Sequence, residues 1–331
     1  MNDVWILAEH NNGSIKEVSH ELLSWGRSLA NELDKRLVAV VLSPYTQEDE
    51  LHTLIAMGAD SVIYVESQEL RYVECLTYSN ILEKLVKDEK PQIFLASATT
   101  TGRTVMPYLA VKIHAGLTAD CTGLAIEKIS RLLLQTRPAI GGNIMATIKS
   151  PHHLPQMATV RPKSKKPLGR DDSRKGEIQK VDINISSMLS KAQVVGVEEL
   201  LDEDSAIEEA TYVVAGGKGL KKKDNFQLIH QLAHLLNAKV GASREAVDRG
   251  WIGYSHQVGL SGKTISPELY MAVGISGAVQ HLAGIKTSSH IVSINCDKNE
   301  PIIQISDVAL VGDLFMIIEE LKKQLNQKGA L

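Results

Sequence analysis

The chain has 331 residues, 44% of them hydrophobic and 23% charged, with a formal net charge of -3. That length exceeds what one hydrophobic core usually supports and predicts two domains. The near-balanced charge excludes a whole-chain bias toward nucleic acid or anionic membranes, so any such contact must be local.

In the first half, short β-branched runs alternate with amphipathic stretches, the pattern of strands and crossover helices in an α/β sheet. Val4–Ala8 reads as a strand and Val18–Leu33 as a helix. Leu37–Leu42 and Ser61–Val65 read as strands, with a helix over Leu51–Met57 between them. Tyr72–Lys87 is helical by its apolar spacing, Pro91 stops it, and Ile93–Ala96 is a buried strand. The hydroxyl-rich turn Ser97–Arg103 leads into a helix over Thr104–His114. Such a turn either receives an anion on its free N–H groups or simply caps the helix.

Strands follow at Leu132–Gln135, Ile144–Ile148 and Met157–Val160. Residues Arg161–Lys175 then carry seven basic side chains, two acidic ones and two prolines, and read as an exposed loop or linker. No aromatic residue lies in that segment for a base to stack on, which argues against nucleic acid.

A second α/β unit begins near Ala210. Thr211–Ala215 is a strand and Gly216-Gly217-Lys218-Gly219 a loop. Asp224–Leu236 is a helix whose Asp224 and Gln227 have capping-box spacing. Val240–Ala242, Leu269–Val273, Ile291–Asn295 and Ile302–Ile305 read as strands, and Gly312–Leu325 as a last helix. An acidic stretch, Glu198–Asp204, reads as an exposed connection between the halves.

The N-terminus has no cationic segment ahead of a long apolar run, and no window approaches a membrane span, which predicts a cytoplasmic protein without membrane insertion. Cys75, Cys121 and Cys296 lack metal-ligand spacing and read as reduced thiols in or near a core. No metal site is predicted.

The chemistry concentrates in residues 243–281. The loop Gly217-x-Gly219 lacks the third glycine of a dinucleotide fingerprint, since Lys222 stands there, and this argues against an NAD(P)-dependent dehydrogenase. Lys218 sits at a strand end, where a cation suits a phosphate or a ring edge. Ser243 opens a short helical piece, and Arg244 beside it either supplies a permanent charge to a ligand or forms a surface salt bridge. Gln257, Val258, Gly259, Leu260 and Ser261 combine an amide, a glycine and a hydroxyl, and Ser261 can hydrogen-bond a ring nitrogen. Ser276 is placed to cap a helix running to Leu282, with Gly277, Ala278 and Val279 leading to Gln280 and His281 about one turn on. Three groups in this stretch able to carry positive charge, Arg244, Lys263 and His281, suit a nucleotide cofactor with an electron-rich ring.

These residues resemble the electron-transfer flavoprotein alpha-subunit family, most specifically in Val240–Arg249, Gln257–Lys263 and Pro267–Gly284, and more loosely in Trp5–Glu9 and Ser97–Arg103. The resemblance implies an α/β protein of two domains. Residues 1–205 would form an N-terminal nucleotide-hydrolase-like parallel-sheet domain packing on a beta subunit, and 206–331 a doubly wound FAD-binding domain. It implies one non-covalent FAD in this chain, with a second FAD or AMP in the beta subunit. Arg244, Ser261 and His281 would carry the redox role, Ser261 near the flavin N5 and His281 near its C2 carbonyl. Asn295, Asp313 and Leu314 match contacts to the adenosine half.

Lys218 stands where many members have arginine, which keeps the charge without the bidentate fork. The Gly259-Leu260-Ser261-Gly262 form resembles anaerobic members that bifurcate electrons. The implied partners are the beta subunit and an acyl-CoA dehydrogenase-type protein, with ferredoxin or flavodoxin and NADH in the bifurcating version. A simple electron carrier and a nucleotide-binding regulator are the alternatives.

Overall fold

The computed structural model describes residues 3–139, 144–192, 194–196, 207–208 and 210–328. The chain forms two compact units, Met1–Val197 and Glu198–Leu331. The acidic stretch Glu198–Asp204 lies outside the described residues.

The first unit opens with β1 (Val4–Ala8) and a small hairpin of β2 (His10–Asn11) and β3 (Ser14–Ile15). There follow α1 (Glu17–Leu33), β4 (Leu37–Ser43), α2 (Glu48–Ala56), β5 (Ser61–Glu66), α3 (Cys75–Glu89), β6 (Ile93–Ser97) and α4 (Thr100–Lys112). Next come β7 (Leu117–Cys121), β8 (Gly123–Ile126), β9 (Leu133–Pro138), β10 (Met145–Ile148), β11 (Gln156–Val160) and β12 (Glu177–Lys180). Seven strands make one parallel sheet in the order β12-β5-β4-β1-β6-β11-β7, and β8, β9 and β10 make a separate antiparallel sheet.

Because side chains alternate along a strand, β1 serves two cores. Val4, Ile6 and Ala8 pack with Leu22 and Leu29 of α1 and Leu51 and Leu54 of α2. Trp5 and Leu7 pack with Ile81 and Leu85 of α3 and Val105 and Leu109 of α4.

The turn after β6 is a cap. Thr99 accepts a hydrogen bond from the Gly102 N–H at 3.2 Å and donates to the Glu9 carboxylate. The helix therefore begins at Thr100, earlier than predicted, and the protein's own buried carboxylate faces its start. Burial raises the Glu9 pKa against the pull of Thr99 and Lys16.

The basic segment is the mostly exposed, irregular loop its composition suggests, but it is pinned at several points. Arg161 is buried and forms a two-pronged ion pair with Asp120. The Lys165 ammonium lies 4.5 Å from the centre of the Trp25 ring, and Arg174 pairs with Asp60 at 3.0 Å. The segment thus straps across this unit and leads into β12, an edge strand of the main sheet.

The second unit contains β13 (Tyr212–Gly216), α5 (Phe226–Leu235), β14 (Lys239–Ala242), α6 (Arg244–Asp248), β15 (Leu269–Val273) and α7 (Val279–Leu282). It closes with β16 (His290–Asn295), α8 (Pro301–Ile305), β17 (Val308–Val311) and α9 (Leu314–Lys328). All five strands run parallel in the order β14-β13-β15-β16-β17. The order reverses between β13 and β15, and that reversal opens a crevice at the carboxyl ends of the strands.

Three predicted details change here. Ile302–Ile305 is helical, not a strand, because Pro301 occupies the first helical turn, where its fixed φ and missing N–H are tolerated. Asp224 falls in a single 3-10 turn, Lys223–Asn225, and α5 starts at Phe226, so the capping box does not form. Ser276 does not cap α7, whose N-cap is Ala278. Among the described residues, no helix is long and apolar enough to cross a membrane, and no cluster of His, Cys, Asp or Glu is arranged to hold a metal.

Candidate functional site

A cavity of about 720 Å³ lies in the second unit at the carboxyl ends of its strands. Loops after β13, β14, β15, β16 and β17 all contribute to its wall, as expected at a topological switch point. Its floor requires two backbones to touch. A Cβ on Gly219 would stand 2.6 Å from the Gly274 Cα, and Gly274 has φ +61, so glycine is needed on both sides.

The cationic groups come from the first two loops. Ser243 is the N-cap of α6 and makes no side-chain cap bond, leaving its hydroxyl to the cavity it lines. Arg244 is ion-paired to Asp248 at 3.2 Å, and Lys218 to Glu245 at 3.0 Å. Hydrogen bonds from Arg249 and Lys218 lower the Glu245 pKa. Lys218 and Arg244 therefore each have a carboxylate beside them, Glu245 and Asp248, neither of which the sequence reading named.

A parallel bridge joins Gln257 to Ala242 at the end of β14 and starts the next wall segment. Val258 N–H donates to the Ala242 carbonyl at 2.9 Å, and Leu260 N–H to the Gln280 carbonyl at 2.7 Å. Val258, Gly259, Leu260 and Ser261 line the cavity, and Leu260 is 72% exposed. Gln257 does not line it. Its amide turns back onto Ser261.

Ser276, Ala278, Gln280 and His281 form the adjoining wall segment. Gly277 stands behind it at φ +84, where a Cβ would meet the Ile302 nitrogen at 2.5 Å, and Val279 also lies off the lining. His281 is not the third cation that the sequence suggested. Its Nδ1 is 3.0 Å from the Val258 carbonyl and its Nε2 2.8 Å from the Tyr270 hydroxyl. The carbonyl only accepts, so Nδ1 carries the hydrogen and Nε2 accepts from tyrosine. Desolvation by burial lowers its pKa to about 4, and the imidazole is neutral at pH 7.

Asn295, Asp313 and Leu314 close the far end. The Asn295 amide donates to the Ile275 carbonyl at 3.0 Å, and its oxygen accepts from the Asp297 N–H at 3.0 Å. The Asp313 carboxylate accepts from the Phe315 N–H at 2.8 Å and so caps α9. Of the predicted residues, only Gln257, Gly277 and Val279 are absent from the lining.

The sequence reading missed Lys221, whose ammonium sits 5.5 Å from the centre of the Phe315 ring, and Cys296, which is exposed on the cavity wall and not in a core. Lys221 has φ +68, unusual for lysine, but only the fold reveals that backbone conformation.

The donor set suits a dinucleotide. Its volume falls in the range of cofactor sites, with cations and a free hydroxyl at a strand-to-helix turn for phosphates. Among the lining residues, Leu260 and Ile275 offer apolar surface to a flat ring.

Fold and site thus define a protein of two α/β units, the second with a nucleotide-sized crevice at its switch point. The electron transfer flavoprotein domain family matches residues 4–186, and the electron transfer flavoprotein FAD-binding domain family matches residues 206–286. An electron transfer flavoprotein subunit alpha of Thermoanaerobacterium thermosaccharolyticum is 43% identical over 97% of this chain and 98% of its own length. Its namesake in Clostridium acetobutylicum is 40% identical over 97% of this chain and 96% of its own. The LctC subunit of a lactate dehydrogenase (NAD(+),ferredoxin) of Acetobacterium woodii is 35% identical over 96% of this chain and 75% of its own. The chain belongs to the electron transfer flavoprotein alpha-subunit family.

Proposed function

We propose that residues 206–331 bind one FAD non-covalently and that the chain, paired with a beta subunit, passes electrons between an acyl-CoA dehydrogenase-type protein and another redox partner. The observation that carries this reading is the convergence of Lys218, Ser243, Arg244, Ser261 and His281 on one dinucleotide-sized cavity. A bound flavin supplies one- and two-electron chemistry.

The chain's own groups divide the work of holding it. Ser243 and Lys218 suit the pyrophosphate, and Arg244 adds positive charge beside the ring. Neutral His281 stiffens the wall between Tyr270 and Val258, and the Asn295 and Asp313 end receives the adenosine. Arg244 need not shed Asp248 to act, because a guanidinium has donors to spare.

The bifurcating version, in which NADH reduces a second flavin held by the beta subunit and ferredoxin or flavodoxin takes one electron, draws support from the Gly259-Leu260-Ser261-Gly262 form and from the ferredoxin in the name of the 35% identical relative. A beta subunit holding AMP corresponds to the simple carrier.

Both versions are tested by copurifying the chain with its beta subunit and counting flavins. A yellow complex with two FAD per heterodimer supports bifurcation, and one FAD supports simple carriage. A colourless complex that takes up no added FAD overturns the reading.

A further inference from the structure

The wall segment after α6 contains a hydrogen-bond arrangement with a directional consequence for Ser261. The Tyr254 hydroxyl donates to the Ser261 carbonyl at 2.8 Å. The Gln257 amide nitrogen donates to the same carbonyl at 3.1 Å and to the Ser261 hydroxyl oxygen at 3.2 Å. Gln257 is only 3% exposed, whereas Tyr254 is 63% exposed and reaches the loop from its solvent side.

The loop cannot easily change shape beneath these bonds. Lys263 N–H donates to the Gln257 carbonyl at 2.7 Å, and Gly259 N–H to the Lys263 carbonyl at 3.0 Å. A Cβ on Gly262 would stand 2.4 Å from the Gln257 carbonyl oxygen, so the turn closes directly on the residue that supplies the amide.

A hydroxyl has one hydrogen to give. The Ser261 oxygen already accepts from Gln257, and both lone-pair directions of the Ser261 carbonyl are taken by Tyr254 and Gln257. The hydroxyl hydrogen is left to point at the cavity that Ser261 lines.

We infer that Tyr254 and Gln257 are positioning residues that fix Ser261 as a hydrogen-bond donor toward a ring acceptor of the cofactor. This rests on the FAD reading above. It assigns to Gln257 an indirect role, one residue away from the flavin contact that the sequence resemblance implied, and brings in Tyr254, which no motif singled out. Preorganising a donor in this way spares the cofactor the cost of orienting it.

The test uses the FAD-loaded heterodimer and reads the flavin absorption bands and FAD affinity. Gln257→Glu replaces a donor with an acceptor of the same shape, so the Ser261 hydroxyl turns inward to donate to the new carboxylate. It should shift the flavin bands and weaken FAD as Ser261→Ala does, and the double variant should show no further loss. Lowering the pH enough to protonate the glutamate should partly restore the wild-type spectrum. Tyr254→Phe, on the surface and with its ring retained, should weaken FAD by about 2- to 10-fold, the worth of one ordinary hydrogen bond.

Wild-type bands and affinity in both Gln257→Glu and Tyr254→Phe overturn the inference, as do Gln257→Glu and Ser261→Ala losses that multiply in the double variant. If Gln257→Glu does not fold, Tyr254→Phe alone decides. A wild-type complex that takes up no FAD overturns the underlying reading, and the positioning role with it. Flavin bound normally by wild type and variants alike overturns the positioning role alone.

Discussion

The Tyr270 hydroxyl and the His281 Nε2 atom are 2.8 Å apart, both buried, with tyrosine as donor. This bond ties β15 to α7 and fixes the histidine tautomer. It also couples the cavity wall to pH. Burial lowers the folded-state pKa of His281 to about 4, below its unfolded value of about 6.5. Between those values the unfolded chain binds more protons than the folded one, so acidification through that window favours unfolding. This group should cost the folded state up to about 3 kcal/mol by pH 4. Denaturant unfolding of wild type and His281→Gln from pH 7 to pH 4 checks it: the variant should have the shallower acid slope.

Tyr270→Phe removes the donor and leaves Nε2 buried without its partner. The expected cost is about 1–3 kcal/mol, the penalty of an unsatisfied buried acceptor. Thermal unfolding of wild type and variant measures it, and unchanged stability would mean that Nε2 finds another donor.

Much of this site was legible because its residues are chemically unusual for a loop: Ser243-Arg244, Gln257 to Ser261 and Gln280-His281 each place polar groups next to glycine or at a helix start. What stayed hidden depended on distances across the fold. Nothing near His281 in sequence says that Tyr270 and the Val258 carbonyl will take both its nitrogens. Nothing in the sequence sets Glu245 and Asp248 apart, but α6 places them beside Lys218 and Arg244.

In the fold, the buried strands of both parallel sheets were readable as continuous apolar runs. The β-branched run at Ile302 read as one more, yet Pro301 begins a helix there, and the edge strand β17, with Val308 and Val311 exposed, carried too weak a pattern. The segment Arg161–Lys175 is the exposed loop its composition suggests, but its anchors, Asp120, Trp25 and Asp60, are distant in sequence and so were not legible.

Arg244→Ala should lower the reduction potential of the proposed FAD. The side chain is largely exposed and already paired with Asp248, so solvent and that carboxylate screen it. An effect of about 1 kcal/mol is expected from a unit charge several ångströms from the ring in a surface-like dielectric. A reductive titration against dyes of known potential reads it. A potential equal to wild type would leave Arg244 with a binding role only.

Gly277→Ala tests the packing behind the cavity wall. The new Cβ meets the Ile302 nitrogen at 2.5 Å in a backbone with φ +84, so α8 or the wall must move. The strain should cost about 1–3 kcal/mol and weaken retention of the proposed FAD. Flavin content after gel filtration, compared with Gly253→Ala, whose Cβ has only the Ser255 hydroxyl nearby at 3.5 Å, separates a site effect from a general loss of glycine.

The Asp120–Arg161 pair should anchor the strap of the first unit. The Arg161 Nε donates to Asp120 at 3.0 Å, and the arginine side chain is 9% exposed. Burial alone would raise the Asp120 pKa, but hydrogen bonding and charge from Arg161, with Arg103 and Arg137 nearby, hold the carboxyl below its ordinary value. Its stabilisation is therefore complete above the unfolded pKa near 4 and is lost as the pH falls through the folded one. Asp120→Asn leaves a nearly buried guanidinium without its counter-charge, and the first unit should lose about 2–4 kcal/mol. Combining it with Arg161→Met removes the stranded charge, so the double variant should be more stable than Asp120→Asn alone. Thermal unfolding of the four proteins of this cycle measures the coupling, and strictly additive losses would show that the strap is held by its other contacts.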